Sequence, residues 1–237
     1  MAEPMADREG GDAGLLGPLL PAGVAWAEAY DDPPGTYLFP EEEARLARAV
    51  DKRRSEFATA RRCAREALAQ LGVGPVPILP GPRGAPQWPD GIAGSMTHTA
   101  GYRAAAVART GGPRDAVVSV GIDAEPHEPL PRGVERTVVN PSEATRLTAL
   151  AASHPAVRWD RLLFCAKEAV YKAWFPLTER WLGFDQADVT FDPDGHTFTA
   201  RLLVAGPVVG GDELRTFPGR WAVGRGLMAA AVTLRGV

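Results

Sequence analysis

The chain has 237 residues, 45% of them hydrophobic and 23% charged, and its formal net charge is −3. That composition suffices for one domain or two small ones and excludes bulk disorder. The acidic balance excludes the broad basic field of a nucleic-acid binder, so any anion site must be a local cluster of Lys and Arg.

Residues 1–14 read as a flexible tail of mixed charge without the apolar run of a signal peptide. No stretch approaches the roughly 20 apolar residues of a membrane helix. The two cysteines, Cys63 and Cys165, make neither a disulfide framework nor a zinc pattern and suit a reducing, cytoplasmic setting. A helix is predicted from about Glu41 to Leu71. It opens at Pro40 with Glu41, Glu42 and Glu43, where negative charge suits a helix N-terminus, and Gly72 ends it. Phe57, Ala60, Ala64, Leu68 and Leu71 recur along it at helical spacing as an apolar stripe. The run from Lys52 to Arg65 is basic, with Arg54, Arg61 and Arg65 near one face. It reads either as a solvated surface or as a grip on a polyanion, because guanidinium groups fork onto phosphate oxygens.

Residues 74–94 hold six prolines and five glycines, which predicts a turn-rich loop with short extended pieces. Thr97 and His98 follow, flanked by Gly94 and Gly101. The setting permits close approach of backbone to a ligand, although a lone histidine is commonly a structural hydrogen-bonder. Val117 to Asp123 is rich in β-branched residues and reads as a strand. On a strand Asp123 and Glu125 share a face while Ile122 and Ala124 turn to the core. Two adjacent carboxylates repel unless a cation lies between them, and hard oxygen ligands suit Mg²⁺; two solvated acids at a strand end are the alternative. Trp159 to Trp174 follows a helical pattern stopped by Pro176, with Glu168 and Lys172 one turn apart on a face crowded by apolar neighbours. Cys165 lacks an adjacent base and reads as a packing residue. Short strands are predicted at Arg201–Val204 and Met228–Leu234. Helices and strands mix without a βαβ rhythm, which indicates an α+β fold.

Two segments in order, Gly121-Ile122-Asp123-Ala124-Glu125 and Phe164-Cys165-Ala166-Lys167-Glu168-Ala169-Val170-Tyr171-Lys172, resemble the paired signatures of the 4′-phosphopantetheinyl transferase superfamily, surfactin- and enterobactin-synthetase type. Ser95-Met96-Thr97-His98 matches its upstream element. Trp88-Pro89-Asp90-Gly91 and Tyr171 to Leu177 bring the chain nearest to actinobacterial members, and the resemblance covers roughly residues 25–235.

The resemblance implies two pseudo-symmetric α+β halves, residues 15–113 for coenzyme A and 114–237 for metal and catalysis, meeting near 112–118 around a cleft. It implies transfer of phosphopantetheine from coenzyme A to a serine of an apo acyl or peptidyl carrier protein, with release of adenosine 3′,5′-bisphosphate. Asp123, Glu125 and Glu168 would hold Mg²⁺, for which Mn²⁺ can substitute. Arg53, Arg61, Arg83, Thr97 and His98 would bind coenzyme A, Arg83 standing in for a loop lysine absent at Gly84-Ala85-Pro86. Lys167 and Lys172 would lie near the pyrophosphate, and Glu168 would be the base for the carrier serine. The implied protein is a monomer acting in fatty acid, polyketide or nonribosomal peptide assembly, without nucleic acid or membrane. A Mg²⁺-dependent nucleotide-diphosphate hydrolase, or a non-catalytic coenzyme A or carrier-binding module, would use the same residues.

Overall fold

The structure, a computed structural model, describes residues 14–112 and 116–236. The expected tail over residues 1–14 lies outside the described residues except for Gly14, as do residues 113–115 of the expected junction. The first part of the chain forms β1 (Val24–Ala29), α1 (Pro40–Ala44), α2 (Asp51–Gln70), β2 (Ile92–Thr99) and β3 (Tyr102–Arg109). Then come β4 (Val117–Pro126), α3 (Glu135–Val138), α4 (Pro141–Ser153), α5 (Trp159–Thr178), β5 (Ala187–Asp192) and β6 (Thr197–Leu202). A small pair, β7 (Val208–Val209) and β8 (Asp212–Glu213), precedes β9 (Thr216–Gly224) and β10 (Leu227–Arg235). The main sheets run β1-β3-β2 and β4-β10-β9-β6-β5, and neighbouring strands are antiparallel throughout. The architecture is α+β, as expected.

Strand alternation decides what each face buries. Ala25, Ala27, Ala29, Ala105 and Val107 turn toward Cys63, Ala64, Ala67 and Leu68 of α2. Ala104, Ala106 and Ala108 turn the other way, onto Ile122, Ala124, Ala229 and Ala231 of the second sheet. That sheet's far face carries Met228, Ala230 and Val232 onto Leu162, Ala166, Ala169 and Ala173 of α5. Each sheet is thus covered by one 20-residue helix, and the two sheets share a face of small side chains.

The single helix expected over 41–71 is two helices. Glu42 is fully buried, its carboxylate taking the amides of Phe39 (3.0 Å) and Ile78 (2.8 Å) and the Arg65 guanidinium (3.0 Å). Leu46 packs with Leu38 and Ala58, and Val50 is extended as the N-cap of α2. Folding Leu46 and Glu42 back onto α2 requires the chain to turn between them. The apolar stripe and the stop at Gly72 (φ 72°) stand as expected. Pro176 does not stop α5, which runs to Thr178 and ends at left-handed Glu179 (φ 53°). A proline so near a helix end deletes one backbone bond, and the ring faces solvent. The strand expected at 201–204 begins earlier, at Thr197, set by the turn at Gly195 and His196. The loop over 74–94 gives way to β2 at Ile92.

Candidate active site

β2 and β4 are edge strands of their sheets, and they meet without a backbone ladder. Two hydroxyls bridge the seam: Ser95 Oγ accepts from the Ile122 amide (3.1 Å) and Thr97 Oγ1 from the Ala124 amide (3.2 Å). Without them these edge amides would be buried unpaired. The side chain between the two amides is Asp123, only 6% exposed. Its Oδ1 accepts from Thr97 Oγ1 (3.1 Å) and from Lys172 Nζ (2.8 Å), which also reaches Met96 O at 3.3 Å. Its Oδ2 is buried with no hydrogen-bond partner. Glu168 lies one turn before Lys172 on α5, and Glu125 is held by Arg161 at 2.8 Å.

These carboxylates feel one another. Burial, and then the charge of Asp123, holds both Glu125 and Glu168 above the usual carboxylate range. Burial works to lower Lys172, but Asp123 and Glu168 outweigh it and keep the ammonium above its ordinary pKa. Among the described residues no three His, Cys, Asp or Glu side chains converge as a ready-made chelate. The unpartnered Asp123 oxygen beside raised acids nonetheless fits a hard cation that takes its remaining ligands from water or phosphate.

Asp123 and Lys172 sit beside a cleft of about 610 Å³ between α2 and α5, lined also by the loop over 80–88. α2 contributes Arg53 and Arg61, the loop Arg83, β2 His98, and α5 Glu168 and Lys172. Arg61 is 8% exposed, donates Nε to Ile78 O (3.2 Å) and lies 3.4 Å from the Phe57 ring centre. Burial lowers its guanidinium to about 10, so a bound anion would relieve a desolvated cation. Desolvation and the charges of Lys172, Arg103 and Arg53 hold His98 below its usual value, against the pull of Glu56. Arg83 adopts φ 52°, lines the cleft and places its guanidinium 5.6 Å from the Trp181 ring centre.

Two expected site residues are placed otherwise. Thr97 is 3% exposed and its hydroxyl is committed to Asp123 and Ala124, so it braces the seam instead of facing a ligand. Lys167 points away from the cleft. Its ammonium donates to Val138 O (2.8 Å), Glu143 Oε2 (2.7 Å) and Phe184 O (2.6 Å), leaving no proton for a pyrophosphate. Of the expected basic face, Arg54 pairs with Glu43 and Arg65 with Glu42, which leaves Arg61 turned to the cleft. Burial of Cys165 pushes its thiol well up, so a thiolate nucleophile is not available there. Sequence reasoning missed Arg161, whose i+7 spacing to Glu168 on α5 was the available signal. It also missed Glu56, which enters the cleft tied to Arg103 at 3.1 Å.

Residues 41–108 match the 4′-phosphopantetheinyl transferase N-terminal domain, and residues 119–215 match the 4′-phosphopantetheinyl transferase superfamily. The chain is 56% identical over 223 residues to the 4′-phosphopantetheinyl transferase Svp of Streptomyces mobaraensis, covering 93% of this chain and 89% of that protein. It is 54% identical over 228 residues to the 4′-phosphopantetheinyl transferase PptT of Mycobacterium tuberculosis, covering 93% and 98%. It is 34% identical over 148 residues to enterobactin synthase component D of Salmonella typhi, covering 62% and 58%. With both parts of the chain matched and more than half its residues shared with transferases of nearly its full length, the chain belongs to the 4′-phosphopantetheinyl transferase superfamily and is an enzyme of that class.

Proposed function

We propose that coenzyme A lies in the cleft between residues 15–113 and 114–237, and that an apo acyl or peptidyl carrier protein presents its serine beside Glu168. The observation that carries this reading is Asp123, whose buried Oδ2 is unpartnered at the edge of a cleft lined by Arg53, Arg61, His98 and Lys172. Asp123, with Glu125 and Glu168, would hold Mg²⁺. An ion held there would supply charge neutralisation for the diphosphate and polarisation of the attacked phosphorus.

The chain's own residues do the rest. Arg53, Arg61 and His98 bind and orient the phosphates, and Arg83 meets the substrate from the loop over 80–88. Glu168 takes the proton from the serine Oγ as that oxygen bonds to the phosphorus bearing pantetheine. The bond from that phosphorus to the bridging oxygen breaks, and adenosine 3′,5′-bisphosphate leaves with the electron pair. Lys172 stabilises the leaving oxygen in this reading, as its tie to Asp123 loosens. Such a reaction needs alignment and charge neutralisation more than covalent help.

The test is mass spectrometry of an apo acyl carrier protein incubated with enzyme, coenzyme A and Mg²⁺. One phosphopantetheine should be gained on the carrier serine, and EDTA should prevent it. Asp123→Ala should lower the rate by at least about 10²–10³-fold, the size of losing one charge-stabilising group, with circular dichroism unchanged. Free phosphopantetheine without carrier modification would show hydrolysis instead, and a folded Asp123→Ala enzyme of normal rate would remove the metal assignment.

A further inference from the structure

We propose that Arg161 is a positioning residue for the transfer reaction, holding the Glu125 carboxylate by one oxygen so that the other is left for a divalent cation. The inference rests on the reading that Asp123 and Glu125 hold that cation.

Arg161 lies in the first turn of α5, remote in sequence from β4, and its guanidinium is spent on one short stretch of chain. Nη1 donates to Glu125 Oε2 (2.8 Å), Nη2 to Pro129 O (2.9 Å) and Nε to Glu128 O (3.3 Å). The side chain is 13% exposed and that of Glu125 19%. A planar fork bonded at three nitrogens cannot turn toward Glu125 in any other way without breaking the two carbonyl bonds. The fork therefore fixes where the carboxylate sits.

The two acids of this strand are held differently. Asp123 is met by Lys172, a flexible ammonium whose other bond, to Met96 O, is 3.3 Å long and which can withdraw when a cation arrives. Glu125 is met by a rigid donor that stays. Side chains that hydrogen-bond metal ligands set ligand orientation, and their loss typically costs about 10–100-fold in metal affinity.

The same loop is tied to α5 by a second contact that does not touch Glu125: Asp160 Oδ2 accepts from the Leu130 amide at 2.8 Å. That contact separates positioning of Glu125 from simple ordering of the loop.

The experiment measures Mn²⁺ binding by electron paramagnetic resonance on the full chain in the presence of coenzyme A. Wild type is compared with Arg161→Ala, Arg161→Lys, Asp160→Ala and Glu125→Ala. Arg161→Ala should bind Mn²⁺ about 10–100-fold more weakly, with the Mg²⁺ concentration for half-maximal transfer rising in parallel and kcat at saturating Mg²⁺ changing far less. Arg161→Lys, which keeps the charge but not the fork, should fall between and serves if the alanine variant does not fold. Asp160→Ala should lower the melting temperature and leave Mn²⁺ affinity unchanged. Wild-type affinity in folded Arg161 variants, with affinity lost in Glu125→Ala, overturns the inference alone. Equal weakening in Asp160→Ala overturns it in favour of loop ordering. Unchanged affinity in Glu125→Ala overturns the underlying metal assignment and the inference with it.

Discussion

Glu168 carries its proton differently from an ordinary glutamate. Burial, and after it the charge of Asp123, raises its pKa, so the folded, metal-free protein binds this proton more tightly than the unfolded chain does. A base must be ionised to accept the serine proton. The acid limb of kcat/KM should therefore fall above the usual glutamate range and move to lower pH as Mg²⁺ rises, because a cation favours the ionised form. The linkage has a second sign: stability from this group is present at low pH and is lost as pH rises through its folded pKa. A pH–rate series at two Mg²⁺ concentrations checks this, and a limb that ignores Mg²⁺ would remove Glu168 from the base role. Its neighbour Lys167 belongs to another region of the molecule. Successive helical residues point about 100° apart, so of Lys167 and Glu168 only one can face the cleft. Lys167 is 3% exposed and paired with buried Glu143, and breaking such a pair typically costs about 3–5 kcal/mol. Lys167→Ala should lower the urea midpoint by a corresponding amount while the folded fraction keeps its kcat/KM; a stable but inactive variant would restore a role in the chemistry. The sequence held a clue in Asn140-Pro141-Ser142-Glu143, a capping box whose Glu143 also accepts from the Asn140 amide at 3.0 Å.

At the scale of elements, the site depends on how closely α5 lies on β4. Gly121 permits this: a Cβ there would sit 2.0 Å from Ala169 O and 2.6 Å from Ala173 N, both helix backbone. Ser119, two residues earlier on the same face, donates its hydroxyl to Ala173 O at 2.7 Å. Helix and strand are thereby registered so that Lys172 reaches Asp123. Gly121→Ala cannot be absorbed by a side-chain rotation, because the obstructing atoms are backbone. Overpacking of this kind costs about 1–3 kcal/mol or more, and the helix must move away from β4, taking Glu168 and Lys172 with it. Thermal melting and single-turnover transfer should both fall in this variant, and loss of stability with the transfer rate intact would show that the register is not set here. This part of the fold was legible, since the strand at 117–123 and the helix from Trp159 carry clear β-branched and 3.6-residue patterns. The split between α1 and α2 was not legible. Its cause is the burial of Glu42 against Ile78 and Arg65, contacts that join residues far apart in sequence.

Across the whole molecule, the least legible feature is the face that the two sheets share. Strand β3 reads Ala104-Ala105-Ala106-Val107-Ala108, and alanine by itself favours helix. Tertiary packing overrides that preference: Ala106, Ala124, Ala229 and Ala231 are all buried in one cluster spanning both sheets. Small side chains on both faces let the sheets approach closely enough for Ser95 and Thr97 to cap the edge of β4, which in turn places Asp123. The cleft draws Arg53 and Arg61 from one side of this contact and Glu168 and Lys172 from the other, so the spacing of the sheets also sets the spacing of the site. Ala229→Leu tests this from the shared face, where Ala229 lies opposite Ala124 of β4 and turns away from the cleft side of that sheet. Ala229 is fully buried, so the added volume should cost about 1–3 kcal/mol. Because the shared cluster couples both sheets, unfolding should stay a single calorimetric transition, at lower temperature. The KM for coenzyme A should rise as well, since the phosphate-binding arginines and the α5 residues are moved apart. Two separated transitions would show that the halves fold independently, and an unchanged KM beside a lowered melting temperature would show that the seam at β2 and β4 holds the site without help from the alanine face.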